Sequence, residues 1–60
     1  MNKQLAKNKI EKVVKLYADQ VKADFGIVVD TKKEFKRIYS DFQAGLVTLN
    51  EIEEEINLLT

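Results

Sequence analysis

The sequence predicts an all-α, three-helix domain formed by residues 1–60, and three observations support this prediction. Apolar residues recur at spacings of three and four in three separate segments, which is the period of an amphipathic helix. The chain has no proline, and its two glycines lie where that periodicity changes phase. A Thr-x-x-Glu pattern, the capping box of a helix start, opens the second and third segments. We therefore expect helices at residues 3–24, 31–44 and 48–59.

The first predicted helix carries one apolar stripe and is followed by Gly26. The stripe consists of Ala6, Ile10, Val13, Val14, Tyr17 and Val21. Gly26 suits the left-handed conformation that commonly follows a helix end. Residues 26–30 are predicted to form an extended connector, because their β-branched side chains favour strand geometry while a lone strand has no partner in a monomer. Pairing of residues 26–29 as a strand within an assembly stays open.

The second predicted helix has a sequence signal at its start and at its end, and the third has one at its start. Thr31 and Glu34 fit one capping box, and Thr48 and Glu51 fit another. Gly45 is expected to end the second helix, and the short link after it predicts a hairpin of helices two and three, covered by helix one. The predicted core contains Ile10, Val14, Tyr17, Val21, Phe35, Ile38, Tyr39, Phe42, Leu49, Ile52 and Ile56.

Composition argues against catalysis. The chain has no cysteine and no histidine, so Ser40 has no base to activate it and a structural zinc site lacks its usual ligands. The carboxylates of helix three are interpreted as a solvated helical face, since acidic residues are favoured near a helix start. No glycine-rich phosphate loop is present. We expect no enzyme activity, no cofactor, no metal and no small-molecule substrate.

The sequence predicts a soluble, cytoplasmic protein. Lysines at positions 7, 9, 12 and 15 interrupt any apolar segment of a signal peptide. No stretch approaches the roughly 20 apolar residues of a transmembrane helix, so no membrane association is expected.

Charge is unevenly distributed although the net charge is zero. Residues 1–29 carry a balance of +3, and residues 48–60 carry −4. A nucleic-acid-binding function is one interpretation, with Lys12, Lys15 and Lys22 of helix one contacting phosphates. A helix-turn-helix mode is disfavoured, because four glutamates on helix three would meet phosphate repulsion. Pairs spaced as Glu11–Lys15 and Lys15–Asp19 would instead suit an ordinary solvated helix.

A protein-interaction function is the leading hypothesis. A domain of this size buries a small core, and without disulfides or a metal its remaining support is a partner or a second copy. The candidate partner-binding residues are Leu5, Leu16 and Leu58, which fall off the apolar stripes, and Val28 of the connector. Basic helix one could pack against acidic helix three of a second copy in a homodimer, or the two helices could neutralise each other within one monomer.

Residues 35–59 resemble the short helical-hairpin module called the SHOCT domain. The resemblance rests on Gly45-Leu46-Val47-Thr48-Leu49-Asn50-Glu51-Ile52-Glu53, with one extra aliphatic residue between Gly and Thr, and with Ile52 where the family prefers Phe. It implies protein interaction or oligomerisation rather than catalysis. The size and the Lys, Asn and Ile content also resemble small accessory proteins of Gram-positive phages and mobile elements, which implies a regulator or inhibitor that binds a host protein.

Overall fold

The three predicted helices are present in a computed structural model of the chain, which describes residues 3–60. They are α1 (Lys3–Phe25), α2 (Thr31–Gln43) and α3 (Leu49–Leu59). The connector between α1 and α2 has no regular secondary structure, and no strand occurs within residues 3–60. The predicted all-α, three-helix fold is therefore confirmed, with helix boundaries that differ from the predicted ones by one residue.

Both glycines end helices in the predicted way. Gly26 has a φ of 68° and Gly45 a φ of 78°, and both values lie in the left-handed region that favours glycine. The Gly26 N–H donates to the Lys22 carbonyl at 2.9 Å. After α2, the Gly45 N–H donates to Phe42 at 3.1 Å and the Leu46 N–H to Asp41 at 2.9 Å, which is a Schellman motif. These bonds satisfy carbonyls that the helix ends would otherwise leave unpaired.

The predicted capping box at Thr31 is wrong, because the helix is capped one residue earlier. Asp30 is the N-cap, and its Oδ1 accepts from the Lys33 N–H at 3.2 Å. Glu34 instead accepts from the Arg37 guanidinium. Aspartate is a better N-cap than threonine and adds a negative charge at the positive end of the helix. Thr31 thus becomes the first helical residue.

The predicted capping box at Thr48 is confirmed. Thr48 Oγ1 accepts from the Glu51 N–H at 3.2 Å, and Glu51 Oε1 accepts from the Thr48 N–H at 3.1 Å. Two backbone donors of the first turn of α3 are satisfied by this exchange. The start of α3 is therefore fixed by local side chains.

Helix α1 is the common packing partner of the other two helices. It packs extensively on α3 and on α2, whereas α2 and α3 make little contact with each other. Consecutive helices α2 and α3 are thus the least packed pair, and the predicted hairpin between them is not the main unit of the fold. Loop length predicts which helices are neighbours, but it does not set how closely they approach.

The core is small and centred on the N-terminal half of α1. Its buried residues are Ala6, Ile10, Val13, Val14, Ile52 and Ile56. From α2, the predicted core residues Phe35, Ile38, Tyr39 and Phe42 are only partly buried against this cluster. Tyr17 was predicted to lie in the core and is 46% exposed. Its position on the apolar stripe is correct, but it lies at the edge of the packed region, where it borders a groove with Glu34 and Ile38 of α2.

We expect the two N-caps to contribute measurably to stability. Replacing Asp30 or Thr48 by alanine should each lower the free energy of unfolding by about 1 kcal/mol, because a backbone donor loses its partner. Thr31→Ala is the matched control and should change it by less than about 0.5 kcal/mol. Urea unfolding followed by circular dichroism measures all three, and a larger effect at Thr31 than at Asp30 would contradict this capping.

Candidate interaction surface

The four predicted partner-binding leucine and valine residues lie on three separate elements. Val28 of the connector is 81% exposed, and Leu58 near the end of α3 is 80% exposed. Leu5 on α1 is about half exposed, at 47%. Leu16 is partly buried against the core, so its side chain belongs to the packing of α1 rather than to a free surface.

A larger apolar surface lies at the C-terminal end of α1. Tyr17 and Phe25 share one face of the helix with Val21 between them, since they follow at steps of four residues. Phe25 is 72% exposed, and Ile27 after the helix is also exposed. We call Tyr17, Val21, Phe25, Ile27 and Val28 the end patch. Of these, only Val28 is among the partner-binding residues that the sequence predicts.

The end patch is exposed because α1 is longer than the helices that cover it. Its 23 residues extend about 35 Å at 1.5 Å per residue, which accounts for the 36 Å long axis of the molecule. The 13 residues of α2 and 11 residues of α3 extend only about 20 and 16 Å. Every buried residue of α1 lies between positions 6 and 14, so the stripe beyond them lacks a complete cover.

Two differently charged grooves flank α2. On one side, between α1 and α2, lies a groove with aromatic walls, which we call the basic furrow. Its α1 residues Lys3, Lys7, Glu11 and Lys15 follow at four-residue steps, and its α2 residues are Lys32, Phe35, Tyr39, Phe42 and Gln43. The part around Lys15 and Lys32 encloses about 350 Å³. Four lysines thus face a single glutamate in this furrow.

The aromatic side chains of the basic furrow contact one another. The Phe35 and Tyr39 rings stack with centroids 5.9 Å apart, and those of Tyr39 and Phe42 are 6.5 Å apart. Lys7 Nζ lies 5.5 Å from the Tyr39 ring centroid, a cation–π distance. The ring faces are therefore largely engaged within the chain.

The groove on the other side of α2, between α2 and α3, is acidic. Its rim carries Glu34, Asp41, Glu51 and Glu55 around one cation, Arg37, above a floor that includes Val13, Ile38 and Ile52. Arg37 Nη2 donates to Glu34 Oε2 at 2.8 Å, and Nη1 lies 3.8 Å from Asp41 Oδ2. The hydrogen bond and charge of Glu34 raise the pKa of the Arg37 guanidinium, which stays cationic. Since the carboxylates outnumber it, the groove keeps a negative balance.

Only part of the charge on α1 and α3 is neutralised within the chain. Lys9 Nζ lies 3.3 Å from Glu53 Oε1 and forms the one ion pair between these helices among the described residues. The lysines proposed for nucleic acid, Lys12, Lys15 and Lys22, are all exposed. The spacing of Lys15 from Glu11 and Asp19 suggested ion pairs, but neither pair forms in the part of the chain from residue 3 onward.

The structure brings together no group of three or more metal-ligating side chains in positions 3–60. In the described part of the chain, every buried side-chain nitrogen or oxygen has a hydrogen-bond partner. No helix among these residues has the length and apolar character needed to cross a membrane.

Comparison of the chain with family models, with curated proteins and with solved structures finds no match. The resemblance of residues 35–59 to the SHOCT module therefore stays a resemblance, carried by the residues between Gly45 and Glu53.

We expect the end patch to contribute little to the stability of the monomer. Phe25→Ser and Val28→Ser should each change the free energy of unfolding by less than about 0.5 kcal/mol, as is usual for exposed positions. Ile10→Val, at a fully buried position, should lower it by about 1 kcal/mol. Thermal unfolding at low protein concentration measures the three variants, and a loss at Phe25 equal to that at Ile10 would show that the patch is covered.

Proposed function

We propose that this chain is a small, non-catalytic, cytoplasmic protein-interaction module whose end patch contacts a protein partner. The exposed apolar stripe at the end of α1 carries this proposal. The Tyr17 and Phe25 side chains and the connector together expose roughly several hundred Å² of apolar surface, the scale at which a patch indicates an interaction site. A regulator or inhibitor of a host protein, of the kind found in phages and mobile elements, is the concrete form of the proposal.

The composition of the end patch supports protein rather than small-molecule recognition. Large aromatic and aliphatic side chains dominate the centres of protein interfaces, with polar residues around them. Lys22 and Asp24 flank the patch on α1 and are exposed. The patch also lies on a helix end and a connector rather than in an enclosed cavity, which is the usual site of a small ligand. Leu58 and Leu5 are separate exposed positions that a large partner could also contact.

A capture experiment with matched variants tests the proposed function. The tagged chain is incubated with lysate of the cells that carry its gene, and bound proteins are quantified by mass spectrometry. The double variant Phe25→Ser/Val28→Ser should capture at least about tenfold less of the partner, because it removes the desolvated centre of the interface. The control Leu46→Ser changes a similarly exposed side chain outside the end patch and should still capture the partner. Equal capture by both variants would refute a role for the patch.

Nucleic-acid binding through α1 is the second candidate function. Lys12, Lys15 and Lys22 are exposed on the helix and are free of ion pairs among the described residues, which favours their availability to phosphates. Contacts of this kind depend on the release of counterions from the nucleic acid. They give little sequence preference.

A salt titration of binding to a generic DNA duplex separates the two candidates. If the three lysines contact phosphates, the logarithm of the affinity should fall linearly with the logarithm of salt concentration, with a slope of about −3. Lys12→Ala should reduce the slope by about one. Absence of binding at about 20 mM salt, where the Debye length exceeds 20 Å, would remove this candidate.

A further inference from the structure

We propose that copies of this chain associate through a heterologous contact, in which the acidic outer face of α3 in one copy occupies the basic furrow of the next. This contact is separate from the end patch and from the partner that the patch would bind. It rests on three observations: the charge of the furrow, the charge of α3, and the net charge of the whole chain.

The basic furrow has an uncompensated positive charge. Lys15 and Lys32 at one end, and Lys3 at the other, are exposed and form no ion pair among the described residues. Glu11 is the one acidic side chain in the furrow. The aromatic wall between these lysines offers apolar surface at the centre of the groove. The furrow therefore fits a segment with negative charges and an apolar anchor.

The outer face of α3 has these properties. Glu54 and Leu58 lie one turn apart on the side of α3 opposite the buried Ile52 and Ile56, and Leu58 is 80% exposed. Glu51 and Glu55 are also exposed and lie between this side and the acidic groove that they border. Among the described residues, Glu53 is the one glutamate of α3 that pairs with a lysine of α1, which is Lys9. Glu54 and Glu55 therefore complement the lysines of the furrow, and Leu58 supplies the apolar side chain, whereas the Glu51 carboxylate accepts from the Thr48 N–H.

A second copy is favoured as the occupant because both halves of the contact are present on one chain. The net charge is zero, so two copies do not repel each other at long range, and proteins near zero net charge tend to associate. A nucleic acid fits the furrow less well. Its bases would have to stack on broad aromatic faces, whereas Phe35, Tyr39 and Phe42 already stack on one another, Lys7 Nζ lies 5.5 Å from the Tyr39 ring centroid, and the three side chains are only partly exposed.

The contact joins two different surfaces, so each copy retains one free furrow and one free α3 face. Such heterologous contacts extend into rings or open chains rather than closing as a two-fold dimer. Because the attraction arises largely between exposed charges, salt should weaken it strongly. The average mass of the protein in solution should therefore rise with concentration and fall with salt.

Sedimentation equilibrium of the full chain tests this proposal. At about 20 mM salt the average mass should exceed the 6.9 kDa of the monomer and increase with protein concentration, and at about 500 mM salt it should return to the monomer value. The double variant Lys15→Glu/Lys32→Glu, which reverses the charge of two furrow residues, should reduce the association constant at least about tenfold. Glu54→Lys/Glu55→Lys, which reverses the α3 face, should do the same.

Two matched controls separate this contact from a general charge effect. Lys12→Glu/Lys22→Glu changes the net charge as much as the furrow variant but lies outside the furrow, and it should retain association. Asp19→Lys/Asp24→Lys is the corresponding control for the α3 variant. An equimolar mixture of the furrow and α3 variants should recover association, because each supplies the charge that the other has lost. Circular dichroism of each variant checks that its helices remain folded.

Three outcomes would overturn the proposal: a monomer at every salt and concentration, equal loss in a variant and its control, or association that survives high salt. If association survives high salt and is abolished by Phe25→Ser, the end patch joins the copies instead. That last result would support the proposed function while refuting the furrow contact.

Discussion

Both shorter helices depend on one short apolar stripe of α1. Ile10, Val13 and Val14 are buried there, together with Ile52 and Ile56 of α3, and the aromatic side chains of α2 pack against the same cluster. Because α2 and α3 make little contact with each other, neither has an alternative surface to pack on. A cavity or an overpacked side chain in this stripe would therefore weaken the attachment of both helices at once.

The arrangement around α1 also determines where charge and apolar surface are exposed. Since α2 contacts α1 along one face, its two flanks are separated, with Lys32 and Gln43 bordering one groove and Glu34, Arg37 and Asp41 the other. The excess length of α1 leaves most of the end patch beyond both grooves, and Tyr17 borders the acidic one. Three surfaces of different chemistry thus follow from a long helix bearing two short ones, in a chain of 60 residues.

Local features of the fold were predictable from the sequence. The left-handed glycines at positions 26 and 45 and the Thr48 capping box depend on residues within one turn of each helix end, and they are found where predicted. The one local error, the cap of α2, arose because Asp30 and Thr31 are adjacent and both residue types can cap. The choice between such neighbours depends on where the helix begins to pack.

Features that depend on interhelical geometry were not predictable from the sequence. Periodicity placed Tyr17 on the correct face of α1, but it could not show that Tyr17 lies at the edge of the region on which α2 packs. Phe25 continues the same four-residue steps and could have been identified by extending the stripe. The basic furrow could not have been identified from the sequence, because Lys15 and Lys32 come together only through the packing of α1 on α2.

The burial of Ile52 and Ile56 against Ile10 has a consequence for how the chain folds. These contacts join positions about 40 residues apart, so completing the core requires closure of a long loop, whose entropy cost the contacts between α1 and α2 offset only in part. During synthesis, Ile10 cannot be enclosed until α3 has left the ribosome. Until then α1 carries an incompletely covered apolar face, the kind of transiently exposed surface that favours aggregation.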